Sequence, residues 1–116
     1  MIYGLQWDAT CKWLAEKGFD ITDSKDWGNY KNNTADGHGT KQDTGFSESW
    51  KANNIYDFAG NCYEWTQEAC STNLRADRGG YYYYTGSVVP AISRGNNVPD
   101  YSSRSDGSSR ATLFIM

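Results

Sequence analysis

The chain has 116 residues and a net charge of −3. Its large apolar side chains are mainly aromatic, with eighteen Trp, Tyr and Phe residues against twelve Leu, Ile and Val residues. A low aliphatic content predicts disorder when it is combined with a high net charge. Here the net charge is low and aromatic side chains are abundant, so the sequence predicts a single folded domain over residues 1–116. No apolar run approaches the roughly 20 residues of a membrane span, and the acidic pI argues against a nucleic-acid partner.

Residues 5–17 are predicted to form an amphipathic helix. Trp7, Cys11 and Leu14 recur at the spacing of one helix face, and Gly18 stands where helices commonly end.

Residues 20–54 are rich in Asp, Asn, Gly and Thr and show no sustained period, which predicts long loops. We expect four aromatic side chains to fix these loops to the body of the domain: Trp27, Tyr30, Phe46 and Trp50.

Strands are predicted in the remaining chain. Residues 63–66 alternate in strand fashion after a Gly60-Asn61 turn. A second strand is predicted over 78–84, with the first and third tyrosines of its four-tyrosine run on one face. Residues 85–109 are expected to be exposed loop, and 111–116 to be a closing strand.

The three cysteines, Cys11, Cys62 and Cys70, are an odd number without a C-x-x-C pair, so they support neither a disulfide framework nor a zinc site. A Cys62–Cys70 bridge stays open as an alternative. The single histidine, His38, lies in a glycine-flanked loop and is expected to be an exposed turn residue.

The amino-acid alphabet changes near residue 68. Residues 1–68, the first half, contain nineteen Lys, Glu, Gln, Trp and Met, whereas residues 69–115 contain none. All six lysines lie in the first half and all five arginines in the second half, residues 69–116. A strand-rich segment would lack Lys and Glu, but strands favour Trp, so strand content does not explain the gap.

The genetic code offers another explanation. If the two adenines of asparagine AAY codons are randomised, the resulting NNY codons cannot encode Lys, Glu, Gln, Trp or Met. The residues missing from 69–115 are this set. The pattern predicts a scaffold half followed by a diversified half.

Three motifs resemble the formylglycine-generating-enzyme family, also called sulfatase-modifying-factor domains. They are "NIYDFAGNCYEWTQEA" from residue 54, "RADRGGYY" from residue 75 and a terminal Gly-x-x-Arg. The matching positions are Asn54, Asp57, Gly60, Asn61, Glu64, Trp65, Thr66, Arg75, Arg78, Gly79, Gly80, Gly107 and Arg110. The resemblance implies an α+β, C-type-lectin-like fold with a small antiparallel sheet, one or two helices and long loops.

The resemblance ends at the catalytic positions. Oxidases of this family bind copper through two cysteines, and the aligned residues here are Tyr84 and Val89, which supply no thiolate. We therefore expect no enzyme activity and no catalytic metal. Asp57 and Glu64 flank a turn that binds calcium in some relatives, but two carboxylates do not complete a calcium shell. We expect no cofactor, with calcium as the alternative.

The chain is also similar to the variable proteins of diversity-generating retroelements, which share this fold and occur in phage tail adhesins and bacterial surface proteins. This similarity implies a non-catalytic domain that recognises a protein or glycan ligand on a cell surface, located on a phage tail or the bacterial surface. The N-terminus shows no signal-peptide pattern. The alternatives are a lectin-like carbohydrate binder of fixed specificity, with the tyrosines as a stacking platform, and the copper oxidase.

The second half divides into two predicted sets. Scaffold positions are expected at Arg78, Gly79, Gly80, Gly86, Ser87, Pro90, Ala91, Arg94, Pro99, Gly107 and Arg110. Ligand-face positions are expected at Tyr81, Tyr83, Tyr84, Val88, Val89, Ile92, Asn96, Asn97, Asp100, Tyr101 and Arg104, where Tyr, Arg and Asn suit recognition and the three aliphatics predict an exposed apolar patch.

Overall fold

The computed structural model describes residues 1–97 and 107–110. Its elements are α1 (Gly4–Glu16), a 3₁₀ turn (Glu48–Trp50), β1 (Lys51–Ala52), β2 (Ile55–Tyr56), β3 (Tyr63–Ala69), β4 (Arg75–Arg78), β5 (Arg94–Asn97) and β6 (Gly107–Ser109). The predicted closing strand, 111–116, lies outside the described residues. Within the described ranges, no helix is long and apolar enough to span a membrane.

Helix α1 confirms the predicted N-terminal helix. Trp7, Cys11 and Leu14 form its buried face, and the chain leaves the helix at Gly18, whose φ of 95° suits glycine. The Trp7 ring stacks on Phe58 with ring centroids 4.0 Å apart, which joins the helix to the centre of the core. The spacing of apolar residues therefore identified the buried side of the helix correctly.

The long loops between α1 and β1 are held by aromatic side chains, as predicted. Trp27, Tyr30 and Trp50 are buried. Phe46 differs, because its ring is exposed and stacks on Trp50 at 5.8 Å rather than entering the core.

Strands β1 and β2 form a two-residue hairpin around Asn53 and Asn54. Both asparagines have positive φ values, 47° and 70°, and Asn tolerates this left-handed region better than most residues. The asparagine pair is therefore the local reason for the tight turn that precedes the Gly60-Asn61 turn.

The main sheet has four strands in the order β5-β4-β3-β6. Strands β3, β4 and β5 are antiparallel neighbours, whereas β6 pairs with β3 in parallel. The sheet is therefore mixed, whereas an antiparallel sheet was predicted. In β3 the side chains alternate between the two faces of the strand, as predicted. The buried face carries the polar residues Glu64 and Thr66. Thr66 Oγ1 donates to Ala76 O at 2.9 Å, which satisfies this polar group inside.

The prediction of a strand over 78–84 was wrong. Strand β4 ends at Arg78, because Gly79 and Gly80 take φ values of 88° and 74° and turn the chain out of the sheet. The four tyrosines that follow form a turn. The prediction of continuous exposed loop over 85–109 was also wrong, since β5 and β6 lie in this range and segment 86–91 contains buried residues.

All three cysteines remain thiols, so the alternative of a Cys62–Cys70 disulfide was wrong. Cys11 and Cys62 are buried as small side chains, and Cys70 is half-buried near the end of β3. His38 is exposed in its loop, as predicted.

Candidate ligand-binding face

The tyrosine turn 81–84 forms a cluster of rings at the start of β3. The ring of Tyr81 lies 4.8 Å from that of Tyr63, 5.2 Å from that of Tyr84 and 6.3 Å from that of Tyr83, measured between centroids. Tyr83 and Tyr84 also meet edge to face at 5.6 Å. Each ring therefore restricts its neighbours, and the cluster presents a preorganised aromatic surface.

Exposure divides the tyrosines in a way that the strand prediction did not foresee. Tyr83 is 63% exposed and Tyr84 is 42% exposed, whereas Tyr81 and Tyr82 are half-buried. The two outermost rings are thus consecutive residues of a turn rather than alternate residues of a strand.

The three aliphatic residues beyond the tyrosines separate in the same manner. Val88 and Ile92 are 64% and 39% exposed, so both present apolar side chains to solvent. Val89 differs from the predicted exposed patch, because its side chain is half-buried and packs against the core cluster. A helical-like turn over these residues places one valine outward and the next inward.

Segment 79–93, defined here as the chain from Gly79 to Ser93, is fixed largely through its main chain. Trp7 Nε1 donates to Ala91 O at 2.8 Å. The hydroxyl of buried Tyr30 lies 2.9 Å from Gly79 O and 2.8 Å from Val89 O, and its one proton serves these two carbonyls in turn. Burial raises the pKa of Tyr30, so this hydroxyl stays a donor at any physiological pH.

Loop residues of the first half continue this anchorage. Ser24 Oγ accepts from Ala91 N at 3.0 Å, and Ser24 N donates to Gly86 O at 3.0 Å. Asn32 Oδ1 accepts from Gly86 N at 3.1 Å, and Lys31 N donates to Tyr84 O at 3.0 Å. None of these contacts uses a side chain of segment 79–93, so they do not depend on which side chains the segment carries.

Arg78 anchors the far end of the segment. Its guanidinium is buried, donates from Nε to Ser93 O at 2.9 Å and from Nη2 to Ile92 O at 3.1 Å, and pairs with Asp8 at 2.7 Å. A planar fork of donors can satisfy carbonyls and a carboxylate together. Arg78 thereby ties the segment to both β4 and α1.

Two glycines let the backbone approach closely. A Cβ at Gly80 would lie 2.0 Å from Val89 O, and one at Gly86 would lie 2.2 Å from Lys25 N. Any side chain at either position would displace main-chain atoms.

Of the predicted scaffold set, the buried members are Arg78, Gly79, Gly80, Gly86, Pro90 and Ala91, while Ser87 and Arg94 are exposed and Gly107 and Arg110 half-buried. Pro99 lies outside the described residues.

The predicted asparagines lie on β5 rather than beside the tyrosines. Asn97 pairs with Arg75 and donates to Asp77 Oδ2 at 2.8 Å, whereas Asn96 points to the other side of the strand and is exposed. The sheet register puts both toward the end of β4 remote from the tyrosine turn. Asp100, Tyr101 and Arg104 lie outside the described residues, so the predicted face is described from Tyr81 to Asn97.

A separate polar cavity of about 450 Å³ lies between loop 41–44, the turn 57–64 and residues 107–110. At its base Arg110 Nε donates to Glu64 Oε1 at 2.7 Å and Nη2 donates to Tyr56 O at 2.8 Å. Burial raises the pKa of Glu64 to about 7 despite this ion pair, and burial also raises the pKa of Asp57. Among the described residues, no cluster of three or more His, Cys, Asp or Glu side chains could hold a metal ion.

Sequence reasoning missed the first-half residues that support the face. Asn29 and Asn61 pair through Nδ2 and Oδ1 at 3.0 Å and bind the main chain of loop 39–42, with Asn61 Oδ1 accepting from Gln42 N and Asn29 Oδ1 from Gly39 N. The predicted Gly60-Asn61 turn and the motif both singled out Asn61, but neither predicted that its side chain holds Gln42. No local signal marks Ser24 or Asn32, because their partners are more than fifty residues away.

The fold is similar to the solved structure of Treponema denticola variable protein 1, with a TM-score of 0.58 and 21% sequence identity over 85% of this chain. The similarity establishes an α+β, C-type-lectin-like fold. The chain spans 43% of the length of that protein. No family model and no curated protein matches the sequence, so the resemblance to formylglycine-generating enzymes rests on its motifs.

Proposed function

We propose that the chain is a non-catalytic ligand-binding domain, the variable protein of a diversity-generating retroelement, whose second half recognises a protein or glycan on a cell surface. Its place would be a phage tail or the bacterial surface, in receptor recognition or adhesion. Neither nucleic acid nor a membrane is a proposed partner, and no cofactor is needed for this function.

The observation that carries the proposal is the main-chain anchorage of segment 79–93. Trp7, Ser24, Tyr30 and Asn32 hold its carbonyls and amides, while Tyr83, Tyr84, Val88 and Ile92 point their side chains to solvent. Anchorage of this kind leaves the exposed side chains exchangeable, which is the requirement of a diversified binding face.

Three further observations support the proposal. The alphabet of residues 69–115 lacks the amino acids that NNY codons cannot encode. The fold is similar to that of Treponema denticola variable protein 1. Tyr84 and Val89 stand where the resembling oxidases carry copper-binding cysteines, which favours a binding function over catalysis.

A pair of libraries tests this proposal. The first carries NNY codons at the exposed positions 83, 84, 88 and 92, and the matched second library carries them at the buried positions 80, 86, 90 and 91. Both are displayed on cells, treated with protease and panned on a panel of unrelated purified proteins and on a glycan array. We expect most members of the first library to survive protease and to yield binders, and few members of the second to survive.

Equal survival of both libraries, or survival without binders, would contradict the proposal. Glycan binding by the unmodified chain that is lost on Tyr81→Ala with Tyr83→Ala, without protein binders from the library, would favour the fixed-specificity lectin. The neighbouring DNA gives an independent check: a reverse-transcriptase gene and a near-copy of codons 69–115 with adenines at the mismatches are expected.

A further inference from the structure

A hollow of about 490 Å³ lies in the first half, in the loop that follows α1. Residues 18–20, 23 and 25–27 line it. Two main-chain hydrogen bonds join its loop to the segment, from Ser24 N to Gly86 O at 3.0 Å and from Ile92 N to Ile21 O at 3.2 Å. The loop that forms the hollow is therefore attached directly to the main chain of segment 79–93.

The floor of the hollow is aromatic. The rings of Phe19 and Trp27 meet edge to face with centroids 5.4 Å apart. Trp27 is buried and fixed by a hydrogen bond from its Nε1 to Asp20 O at 3.0 Å, and Phe19 is half-buried. Aromatic faces attract cations through the ring quadrupole, and Trp does so best.

The rim of the hollow is acidic. Asp20, Asp23 and Asp26 stand around it with one lysine, Lys25, so the loop carries an excess of two negative charges. Hydrogen bonds from the hydroxyl and amide of Thr22 and the amide of Asp23 hold the pKa of Asp20 below its usual range. These carboxylates lie in the first half and are not subject to the proposed diversification.

We infer that this hollow is a constant subsite for a lysine or arginine side chain of a protein partner, whose neighbouring apolar side chains pack on the diversified face. The link to a partner rests on the proposed function, whereas cation binding in the hollow does not. Charge complementarity carries the choice, because aromatic floor and carboxylate rim together suit an ammonium or guanidinium. A neutral glycan offers no cation, and Val88 and Ile92 offer it no hydrogen bonds.

The test is a nuclear magnetic resonance titration of the whole chain with N-acetyl-arginine amide and N-acetyl-lysine amide, with N-acetyl-norleucine amide as the neutral comparator. We expect the two cations to shift the Trp27 indole and the amides of residues 19–27 with dissociation constants in the millimolar range, about −4 kcal/mol at 1 mM. Binding should weaken about threefold or more between 50 and 500 mM salt, because exposed charges are screened. Equal shifts from the neutral amide would overturn the inference.

Variants that change the charge at the rim sharpen the test. Removing negative charge should weaken binding of the cation, and removing positive charge should strengthen it. Asp23→Asn with Asp26→Asn should weaken arginine-amide binding about tenfold, and Lys25→Gln should strengthen it several-fold. Asp43→Asn, which removes one negative charge beside the other cavity, should leave arginine-amide binding unchanged. An Asp43→Asn effect as large as that of the rim double variant would reduce the site to general attraction by an acidic protein.

The outcome separates the two proposals. Library binders without any arginine-amide binding would leave the diversified face standing and remove the cation subsite. Arginine-amide binding without library binders would do the reverse. If both hold, binders selected from the library should lose affinity on Asp23→Asn with Asp26→Asn, and binders that keep their affinity would show that partners do not use the hollow.

Discussion

Segment 79–93 and strand β6 with Arg110 both belong to the second half, yet they differ in how far their own side chains attach them to the first half. First-half residues and Arg78 hold segment 79–93 by its carbonyls and amides. Strand β6 pairs with β3, and its attachment also depends on its own side chains: Arg110 bonds Glu64 and Tyr56 O, and Ser108 Oγ donates to Tyr63 O at 3.0 Å.

The difference shows where sequence change is tolerated. A segment held by its main chain keeps its conformation when exposed side chains change, provided that glycines remain where backbones touch. Where a side chain contributes to the attachment, as Arg110 does, replacing it weakens the attachment, since the buried carboxylate of Glu64 is left without its partner. Diversification and structural constancy can therefore coexist within 69–116, at different positions.

The largest expected effect is at Arg78. Arg78→Ala removes the donors to Ile92 O and Ser93 O and leaves a void beside Trp7, so we expect the free energy of unfolding to fall by about 3–5 kcal/mol. Urea unfolding of the wild type and of Arg78→Ala measures this loss of free energy. Arg75→Ala is the matched control on the same strand and should cost under about 1 kcal/mol. Within residues 1–97 and 107–110, the Arg75 guanidinium bonds only the nearby carbonyls of Ser71 and Leu74. Similar losses for both variants would contradict the role assigned to Arg78.

The next effect tests the close backbone approach at Gly80. Gly80→Ala combines a φ of 74° with a Cβ only 2.0 Å from Val89 O, so we expect a loss of about 2–4 kcal/mol. Gly45→Ala has a similar φ of 83° and nothing within 4 Å of the added Cβ, so it should cost about 1 kcal/mol. The difference between the two unfolding free energies measures the contact alone. Equal losses would show that backbone conformation, and not the close approach to Val89 O, sets the requirement for glycine at position 80.

Sequence patterns found the elements whose signals are local. The spacing of Trp7, Cys11 and Leu14 predicts α1, and the Gly60-Asn61 turn followed by alternation predicts β3. These signals need only a few neighbouring residues. The C-type-lectin-like fold itself came from motif resemblance, not from periodicity.

The remaining features depend on distant partners. Strand β5, with the sequence RGNN, has no apolar residue to alternate and exists because β4 lies beside it. The tyrosine run has high strand propensity, but two glycines with positive φ remove it from the sheet. The anchors Ser24 and Asn32 carry no signal in a polar loop. Residue types could thus lead to the proposal that the second half is diversified, but they could not predict how its backbone is held.

A smaller effect is expected from the pH dependence of the second attachment. Burial raises the pKa of Glu64 from 4.5 to about 7, so the folded state holds this proton more tightly than the unfolded state. The resulting stabilisation is full below pH 4.5 and is lost as the pH rises through 7. Relative to Glu64→Gln, the wild-type free energy of unfolding should therefore fall by about 1–3 kcal/mol between pH 4.5 and 7.5.

Urea unfolding at four pH values measures this difference. Glu68→Gln is the control, because Glu68 is half-buried and pairs with the exposed Arg94, and that variant should keep the wild-type slope. A Glu64→Gln variant with the wild-type slope would mean that other groups set the pH dependence of the sheet.

The smallest effects are expected at the exposed side chains of the proposed diversified face, and here the absence of an effect is informative. Val88 and Val89 are consecutive, but Val88 is 64% exposed and Val89 packs on the core. Val88→Ser, like Tyr83→Ala, should change the free energy of unfolding by no more than about 0.5 kcal/mol, whereas Val89→Ser should cost about 1–2 kcal/mol. A large loss at Val88 would mean that exposed side chains help to hold the segment, and main-chain anchorage would then no longer explain its tolerance to change. A loss confined to Val89 divides one dipeptide into a framework position and a position whose side chain can be exchanged. The codon pattern does not make this distinction, because NNY codons can encode valine at both positions.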